Sequence, residues 1–141
     1  MSSILKKENI LINSKLSNKE EIIKKLGNIL YENGYTTDRY VEALLEKEKV
    51  FNTAIGFGLA IPHGIETMKS EIKESGLAIM TVPEGVDWGN GNTVKLIVAI
   101  AGKGEEHIDI LSNIALSCTS EEEVNRLASA SVDEIYNTFA G

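Results

Sequence analysis

The first third of the chain changes hydrophobic period once, from that of a strand to that of a helix. Residues 8–13 form a short β-rich run, which predicts a strand. A capping box at residues 17–20, with Ser17 as the N-cap, and a stop signal at Gly34 then enclose a predicted helix. Thr37 is predicted to cap a second helix. The apolar residues at helical spacing in these two helices are Ile22, Ile23, Leu26, Ile29, Leu30, Val41, Leu44 and Leu45.

The middle of the chain loses the helical period. Residues 54–64 contain three glycines and Pro62, which blocks helix continuation, so this segment is predicted to be strand pieces joined by tight turns. Two apolar runs with β-branched residues, 76–82 and 94–101, predict further strands. Turn residues lie between them at 83–85 and 89–92.

The helical period returns at Glu105 and continues to Cys118. Capping boxes at residues 120–123 and 131–134 predict two more short helices. We therefore predict an α/β fold, a single domain over residues 1–141 in which a mixed β-sheet is flanked by helices on both faces.

Charge and cysteine content exclude several classes of protein. The net charge is −7 and the lysines are interleaved with glutamates, so nucleic acid is not expected as a partner. No secretory leader or membrane-length apolar run is visible, so we expect a cytoplasmic protein without membrane insertion. Cys118 is the only cysteine, which rules out an intramolecular disulfide and favours a small buried side chain there.

The two histidines, His63 and His107, are the candidates for chemistry. Pro62 restrains the backbone before His63 and Gly64 leaves space beside its ring, so the imidazole is presented on a rigid edge. His107 lies in the first turn of a predicted helix, whose positive end disfavours a charged ring. The neighbouring glutamates oppose that effect. From these features alone, either histidine could also be an ordinary structural or surface residue.

Three other kinds of site lack their sequence patterns. Catalytic zinc requires three ligands at compatible spacing, and neither HxxxH nor a cysteine pair is present. A GxSxG nucleophile elbow and a GxxxxGK[ST] phosphate loop are also absent. We therefore expect no metal and no cofactor.

Residues 53–64, TAIGFGLAIPHG, resemble the signature of the type-2 EIIA domain of the bacterial sugar phosphotransferase system. The helix that contains His107 resembles the second-histidine helix of that family, and the likeness runs from Ile10 to the C-terminus. Residues 8–10, 83–86, 106–108 and 131–134 resemble its mannitol branch in particular.

The resemblance implies a phosphotransferase component and a role for each site residue. His63 would accept a phosphoryl group from the histidine phosphocarrier protein HPr and pass it to a cysteine of the EIIB domain, for mannitol uptake. His107 and a basic residue would stabilise the phosphoryl group. Lys47 stands where the family commonly has arginine, and lysine is a flexible point charge rather than a planar fork. Lys49 is an alternative cation, and Thr53 a further candidate hydroxyl donor.

Two alternatives stay open at this level. A nitrogen-type regulatory module would use the phosphorylation state of His63 to control a target protein, with the same chemistry at the ring. An EIIA for fructose or another polyol would differ only in its protein partners, because an EIIA never contacts the sugar.

Four apolar residues are candidates to surround His63, namely Ile55, Phe57, Leu59 and Ile65.

Overall fold

The computed structural model describes residues 4–140, over which five strands form one mixed sheet flanked by five α-helices. The strands are β1 (Ile10–Leu11), β2 (Ala54–Gly56), β3 (Leu59–Ala60), β4 (Gly76–Gly89) and β5 (Asn92–Ala101). The helices are α1 (Lys19–Glu32), α2 (Tyr40–Val50), α3 (Glu106–Ser117), α4 (Glu121–Ala128) and α5 (Val132–Phe139). Short 3-10 helices cover Lys7–Asn9 and Glu66–Glu71.

The sheet separates two hydrophobic cores. Its strand order is β1-β4-β5-β3-β2, and the long hairpin of β4 and β5 lies at its centre. Side chains of a strand point alternately to opposite faces. Ala78 and Met80 accordingly pack with the apolar stripes of α1 and α2, whereas Leu77 and Ile79 pack with those of α3, α4 and α5. The predicted fold class, a mixed sheet with helices on both faces, is confirmed.

Two helix starts differ from the prediction. The N-cap of α1 is Asn18, not Ser17, because the Asn18 side-chain oxygen accepts a hydrogen bond from the Glu21 amide at 3.0 Å. Asparagine and serine cap helices about equally well, so the pattern alone did not separate them. Thr37 does not cap α2 directly; its hydroxyl accepts from the Arg39 amide at 3.2 Å, in the turn before the helix.

The predicted strand and turn boundaries are only partly right. The first strand is limited to Ile10 and Leu11, because a 3-10 turn occupies Lys7–Asn9. Residues 83–85 do not end a strand: β4 continues to Gly89, and its register shift between Thr81 and Val86 is a bulge. The turn at 89–92 is present, with Asn90 and Gly91 both at positive φ, as a two-residue hairpin requires.

The parallel pairing of β3 with β5 positions the two histidines. Leu59 pairs with Leu96 and Ala60 with Ile97, so the carboxyl ends of both strands meet at the same sheet edge. His63 follows β3 and bridges to Ile100 of β5, and the segment that leads into α3 follows β5. Ligand sites of open α/β sheets lie at this edge. None of the helices in residues 4–140 combines the length and apolar character that crossing a bilayer requires.

Candidate active site

A cleft of about 760 Å³ opens at the carboxyl ends of β3 and β5, and we call it the histidine cleft. Both histidines lie in its wall, together with the α2 residue Lys47. The remaining lining comes from the start of α2, the segment after His63, the loop before α3 and the first turn of α3. The full lining is Tyr40, Lys47, His63, Gly64, Ile65, Glu66, Lys69, Ser70, Ile72, Gly102, Lys103, Gly104, His107 and Ile108.

The backbone around His63 is fixed on both sides. Before it, the Pro62 carbonyl oxygen accepts a hydrogen bond from the Ile100 amide at 2.8 Å. After it, the Gly64 amide donates to the Tyr40 hydroxyl at 2.9 Å. A Cβ at Gly64 would lie only 2.6 Å from the Tyr40 ring, so glycine is required for this approach. The half-buried His63 ring therefore projects from a rigid segment, as the Pro62–Gly64 pattern predicts.

One backbone contact determines the proton arrangement of His63. Its Nδ1 atom lies 2.8 Å from the carbonyl oxygen of Ile61, which can only accept a hydrogen bond. Nδ1 therefore carries the proton, and in the neutral ring the lone pair lies on Nε2. Nε2 is the nucleophilic nitrogen of this ring.

His107 lies close to His63, with 5.8 Å between the ring centroids and a tilt of 60° between the planes. Burial, and secondarily the charge of His63, lower the pKa of His107 from its usual 6.5, while Glu66 opposes them. The ring is therefore held neutral near pH 7 and can donate one N–H to an anion between the two histidines. The sequence had left the direction of this effect open.

The loop that leads to His107 is held by its own hydrogen bonds. The buried Ser75 hydroxyl donates to the Glu106 carboxylate at 2.5 Å and accepts from the Lys103 amide at 2.9 Å. Gly102 packs directly on His107, because a Cβ there would lie 2.6 Å from the Cα, Cβ and Nδ1 atoms of His107. The position of His107 thus depends on a close backbone approach.

Of the two candidate lysines, only Lys47 lines the histidine cleft. Its Nζ atom lies 5.1 Å from the centre of the Phe51 ring, within cation–π range. Lys49 lines a separate groove between α1 and α2, where its Nζ pairs with Glu46 at 2.9 Å. The alternative role considered for Lys49 is therefore not supported by its position.

The suggested contact of Thr53 with the phosphoryl group is wrong. Thr53 is fully buried, and its hydroxyl donates to the Glu48 carboxylate rather than to the cleft.

The four apolar residues predicted to surround His63 lie in different places. Ile65 lines the cleft and Leu59 belongs to the core beneath α3 to α5, whereas Ile55 and Phe57 are exposed elsewhere.

Sequence reasoning missed several cleft residues, and those with a polar side-chain group that bear on the chemistry are Tyr40, Glu66, Lys69 and Lys103. Among the described residues of the lining, Lys47, Lys69 and Lys103 outnumber the single carboxylate of Glu66. This cationic balance stands out in a chain of net charge −7 and suits a doubly charged phosphoryl group. The lysines occur singly in the sequence, so no local pattern could have grouped them.

The architecture and the paired histidines agree with a match over nearly the whole chain. The family model described as phosphoenolpyruvate-dependent sugar phosphotransferase system, EIIA 2, matches residues 3–141. The chain belongs to this family, whose members are phosphotransferase components.

Two sequence relatives illustrate the branch of the family that the chain resembles. The mannitol-specific phosphotransferase enzyme IIA component of Bacillus subtilis (strain 168) is 50% identical over 131 residues, which cover 93% of this chain and 92% of the relative. The protein of the same name from Geobacillus stearothermophilus is 46% identical, with 93% and 90% covered.

Solved structures agree with the sequence relatives. The crystal structure of IIA mannitol from Escherichia coli has a TM-score of 0.85 at 33% identity, covering 94% of this chain and 96% of that one. A solution structure of the complex between Escherichia coli enzyme IIAMtl and phosphorylated enzyme IIBMtl gives a TM-score of 0.89 at 33% identity, covering 97% and 99%.

Proposed function

We propose that this chain is a cytoplasmic phosphohistidine carrier of a mannitol phosphotransferase system. In this role His63 accepts a phosphoryl group from phosphorylated HPr and passes it to the cysteine of a mannitol EIIB domain. The observation that carries the proposal is the 2.8 Å contact between His63 Nδ1 and the Ile61 carbonyl oxygen. It leaves the Nε2 lone pair free in a cleft with a second histidine and three lysines.

The first transfer forms one bond and breaks one. The Nε2 lone pair of His63 attacks the phosphorus atom of the donor phosphohistidine, and the donor's phosphorus–nitrogen bond breaks as the new one forms. The His63 ring becomes positively charged, and its Nδ1 proton stays in the hydrogen bond to Ile61. In the second transfer a cysteine thiolate attacks phosphorus, and His63 leaves as neutral imidazole.

His107 and Lys47 stabilise the phosphoryl oxygens during transfer. Phosphoryl transfer has a loose transition state, so the protein acts chiefly by positioning and by stabilising charge on the equatorial oxygens. His107 donates an N–H, because its lowered pKa keeps it neutral but leaves one ring nitrogen protonated. Lys47 contributes positive charge from α2, with Phe51 beneath its ammonium group.

Exposed apolar side chains beside the cleft support docking of protein partners. Ile108 follows His107 and is 64% exposed; Phe51 contacts Lys47 and is 54% exposed. Large apolar side chains next to a reactive group are typical of interaction sites. The Escherichia coli IIAMtl structure in complex with phosphorylated IIBMtl supports an EIIB partner, and the names of the sequence relatives support mannitol as the sugar.

Phosphotransfer with purified proteins tests the proposal. Labelled phospho-HPr should transfer one acid-labile phosphoryl group to the protein, and His63→Ala should accept none. His107→Ala is the matched control: it should still be labelled, but more slowly. Adding EIIB domains for mannitol, fructose and other polyols should discharge the label fastest with mannitol EIIB. Labelling of His63→Ala would refute the site, and no preference for mannitol EIIB would refute the sugar assignment.

A further inference from the structure

We propose that Thr53 and Glu48 are positioning residues for His63, which they reach through the backbone of Ile61. The inference rests on the proposed function only for its kinetic consequence. The structural claim is that a buried polar network determines which ring nitrogen of His63 carries the proton.

Thr53 is the centre of this network. Its side chain is fully buried, and its hydroxyl donates to Glu48 and accepts from the Trp88 indole N–H at 3.3 Å. Its amide also donates to Glu48, at 3.3 Å. A buried hydroxyl costs free energy unless it is hydrogen-bonded, so these contacts fix both the side chain and the backbone of Thr53.

Glu48 provides a buried carboxylate behind Thr53. Only 7% of its side chain is exposed, and it forms an ion pair with Lys19 at 2.8 Å. Lys19 also donates to the Trp88 carbonyl oxygen at 3.0 Å and lies over the Trp88 ring. The network therefore joins the start of α1, the end of α2 and the end of β4. An ion pair with several hydrogen bonds holds its members in one geometry.

The path from this network to His63 has two steps. The Thr53 carbonyl oxygen accepts from the Ile61 amide at 3.0 Å, and the Ile61 carbonyl oxygen accepts from His63 Nδ1 at 2.8 Å. Displacement of Thr53 therefore shifts Ile61, and the carbonyl oxygen that holds the Nδ1 proton moves away from the ring. Neither Thr53 nor Glu48 lines the histidine cleft, so their effect on His63 is indirect, and the hydrogen bonds of Ile61 provide the path.

The proposal predicts a change in tautomer as well as in rate. Without the Nδ1 contact, the neutral ring can place its proton on Nε2, and that tautomer has no lone pair on Nε2 with which to attack phosphorus. Loss of the Thr53 hydroxyl should therefore raise the Nε2–H population of His63 and lower the rate at saturating donor. KM should stay near its original value, because the docking surface is untouched.

The experiment uses Thr53→Val, Thr53→Ser and Glu48→Gln, with Thr81→Val as the matched control. Thr81 is also fully buried, and its hydroxyl accepts from the Asn13 amide at 2.9 Å, outside the path to His63. Nitrogen-15 chemical shifts of the neutral His63 ring in unphosphorylated protein give the two tautomer populations. Phosphoryl acceptance from phospho-HPr gives kcat and KM.

In Thr53→Val we expect the Nε2–H population to rise several-fold and kcat to fall by up to about a hundredfold, which a small displacement of a reacting group can cause. Thr53→Ser should restore both values, Glu48→Gln should change both in the same direction as Thr53→Val, and Thr81→Val should match the parent protein. Parent-like tautomer populations in either Thr53→Val or Glu48→Gln, or an equal change in Thr81→Val, would overturn the proposal. If the parent accepts no phosphoryl group, the proposed function fails, but the tautomer measurement still decides this inference.

Discussion

The Tyr40 hydroxyl oxygen lies 2.9 Å from the amide nitrogen of Gly64, the residue that follows His63. The same hydroxyl donates to the Ile100 carbonyl oxygen of β5 at 2.8 Å. Burial raises the pKa of Tyr40 to about 12, so the phenol is neutral at physiological pH. The Tyr40 side chain of α2 therefore links the backbone beside His63 to the central sheet through two hydrogen bonds.

Tyr40→Phe should lower the free energy of unfolding by about 1–3 kcal/mol, because it leaves the Gly64 amide without an acceptor and removes a donor from Ile100. Urea unfolding measures this loss. Tyr31→Phe is the control, since the Tyr31 side chain is 45% exposed, and it should change stability far less. Equal losses in the two variants would show that the hydroxyl of Tyr40 has no special role.

Gly102→Ala should displace His107, because the new Cβ would lie 2.6 Å from the His107 backbone and ring. We expect slower phosphoryl transfer while His63 can still be labelled. Gly104→Ala separates this contact from backbone strain: Gly104 has a positive φ, but a Cβ there meets no atom within 4 Å. Transfer kinetics as slow in Gly104→Ala as in Gly102→Ala would contradict the importance of the contact.

Lys47→Ala should slow phosphoryl acceptance by about a hundredfold, the order expected when a donor to developing charge is removed. Lys47→Arg should retain or raise the rate, because arginine keeps the charge and adds a planar fork. Lys49→Ala is the matched control on the same helix, since Lys49 lines the other groove. A rate in Lys47→Ala equal to that in Lys49→Ala would remove Lys47 from the site.

The lowered pKa of His107 makes stability depend on pH. Below pH 6.5 the unfolded chain binds a proton that native His107 does not yet bind, so the free energy of unfolding falls as the pH falls through this window. In His107→Gln this part of the slope should be absent. Chemical denaturation of both proteins between about pH 5 and pH 8 measures the difference. Parallel stability curves would show that the pKa of His107 is not lowered.

Replacement of Glu66 tests the electrostatics of the same ring. The Glu66 carboxylate raises the pKa of His107 against the effects of burial and of His63. Glu66→Gln should therefore lower the pKa of His107 further, and His63→Ala should raise it. Proton NMR titration of the His107 ring in the three proteins gives the order directly, and an unchanged midpoint in both variants would contradict the assigned causes.

The sequence predicted the parts of the fold that depend on local pattern. The apolar stripe from Ile22 to Leu30 is the buried face of α1, and Asn90–Gly91 is the turn of the central hairpin. The sequence did not predict the parts of the fold that depend on pairing between strands distant in the chain. Residues 83–85 have turn chemistry, yet the partner strand β5 continues beside them, so they are accommodated as a bulge in β4.

The site was predictable only in part for the same reason. Pro62 and Gly64 indicated a presented His63, because their backbone effects are local. The pairing of His63 with His107 was predicted only through the family resemblance, because it depends on the parallel neighbours β3 and β5, which local sequence pattern does not reveal. Thr53 shows the opposite error: its place in the motif suggested a phosphoryl contact, whereas its burial directs the hydroxyl toward Glu48.

The 2.8 Å contact between His63 Nδ1 and the Ile61 carbonyl oxygen has a consequence for the proton balance of the proposed relay. In the proposed relay the phosphoryl group enters and leaves at Nε2, while the proton stays on Nδ1 throughout. The carrier then returns to the same protonation state after every round and exchanges no hydrogen ion with the solvent. The number of phosphoryl groups that the proposed relay passes on is therefore not tied to any uptake or release of protons at His63.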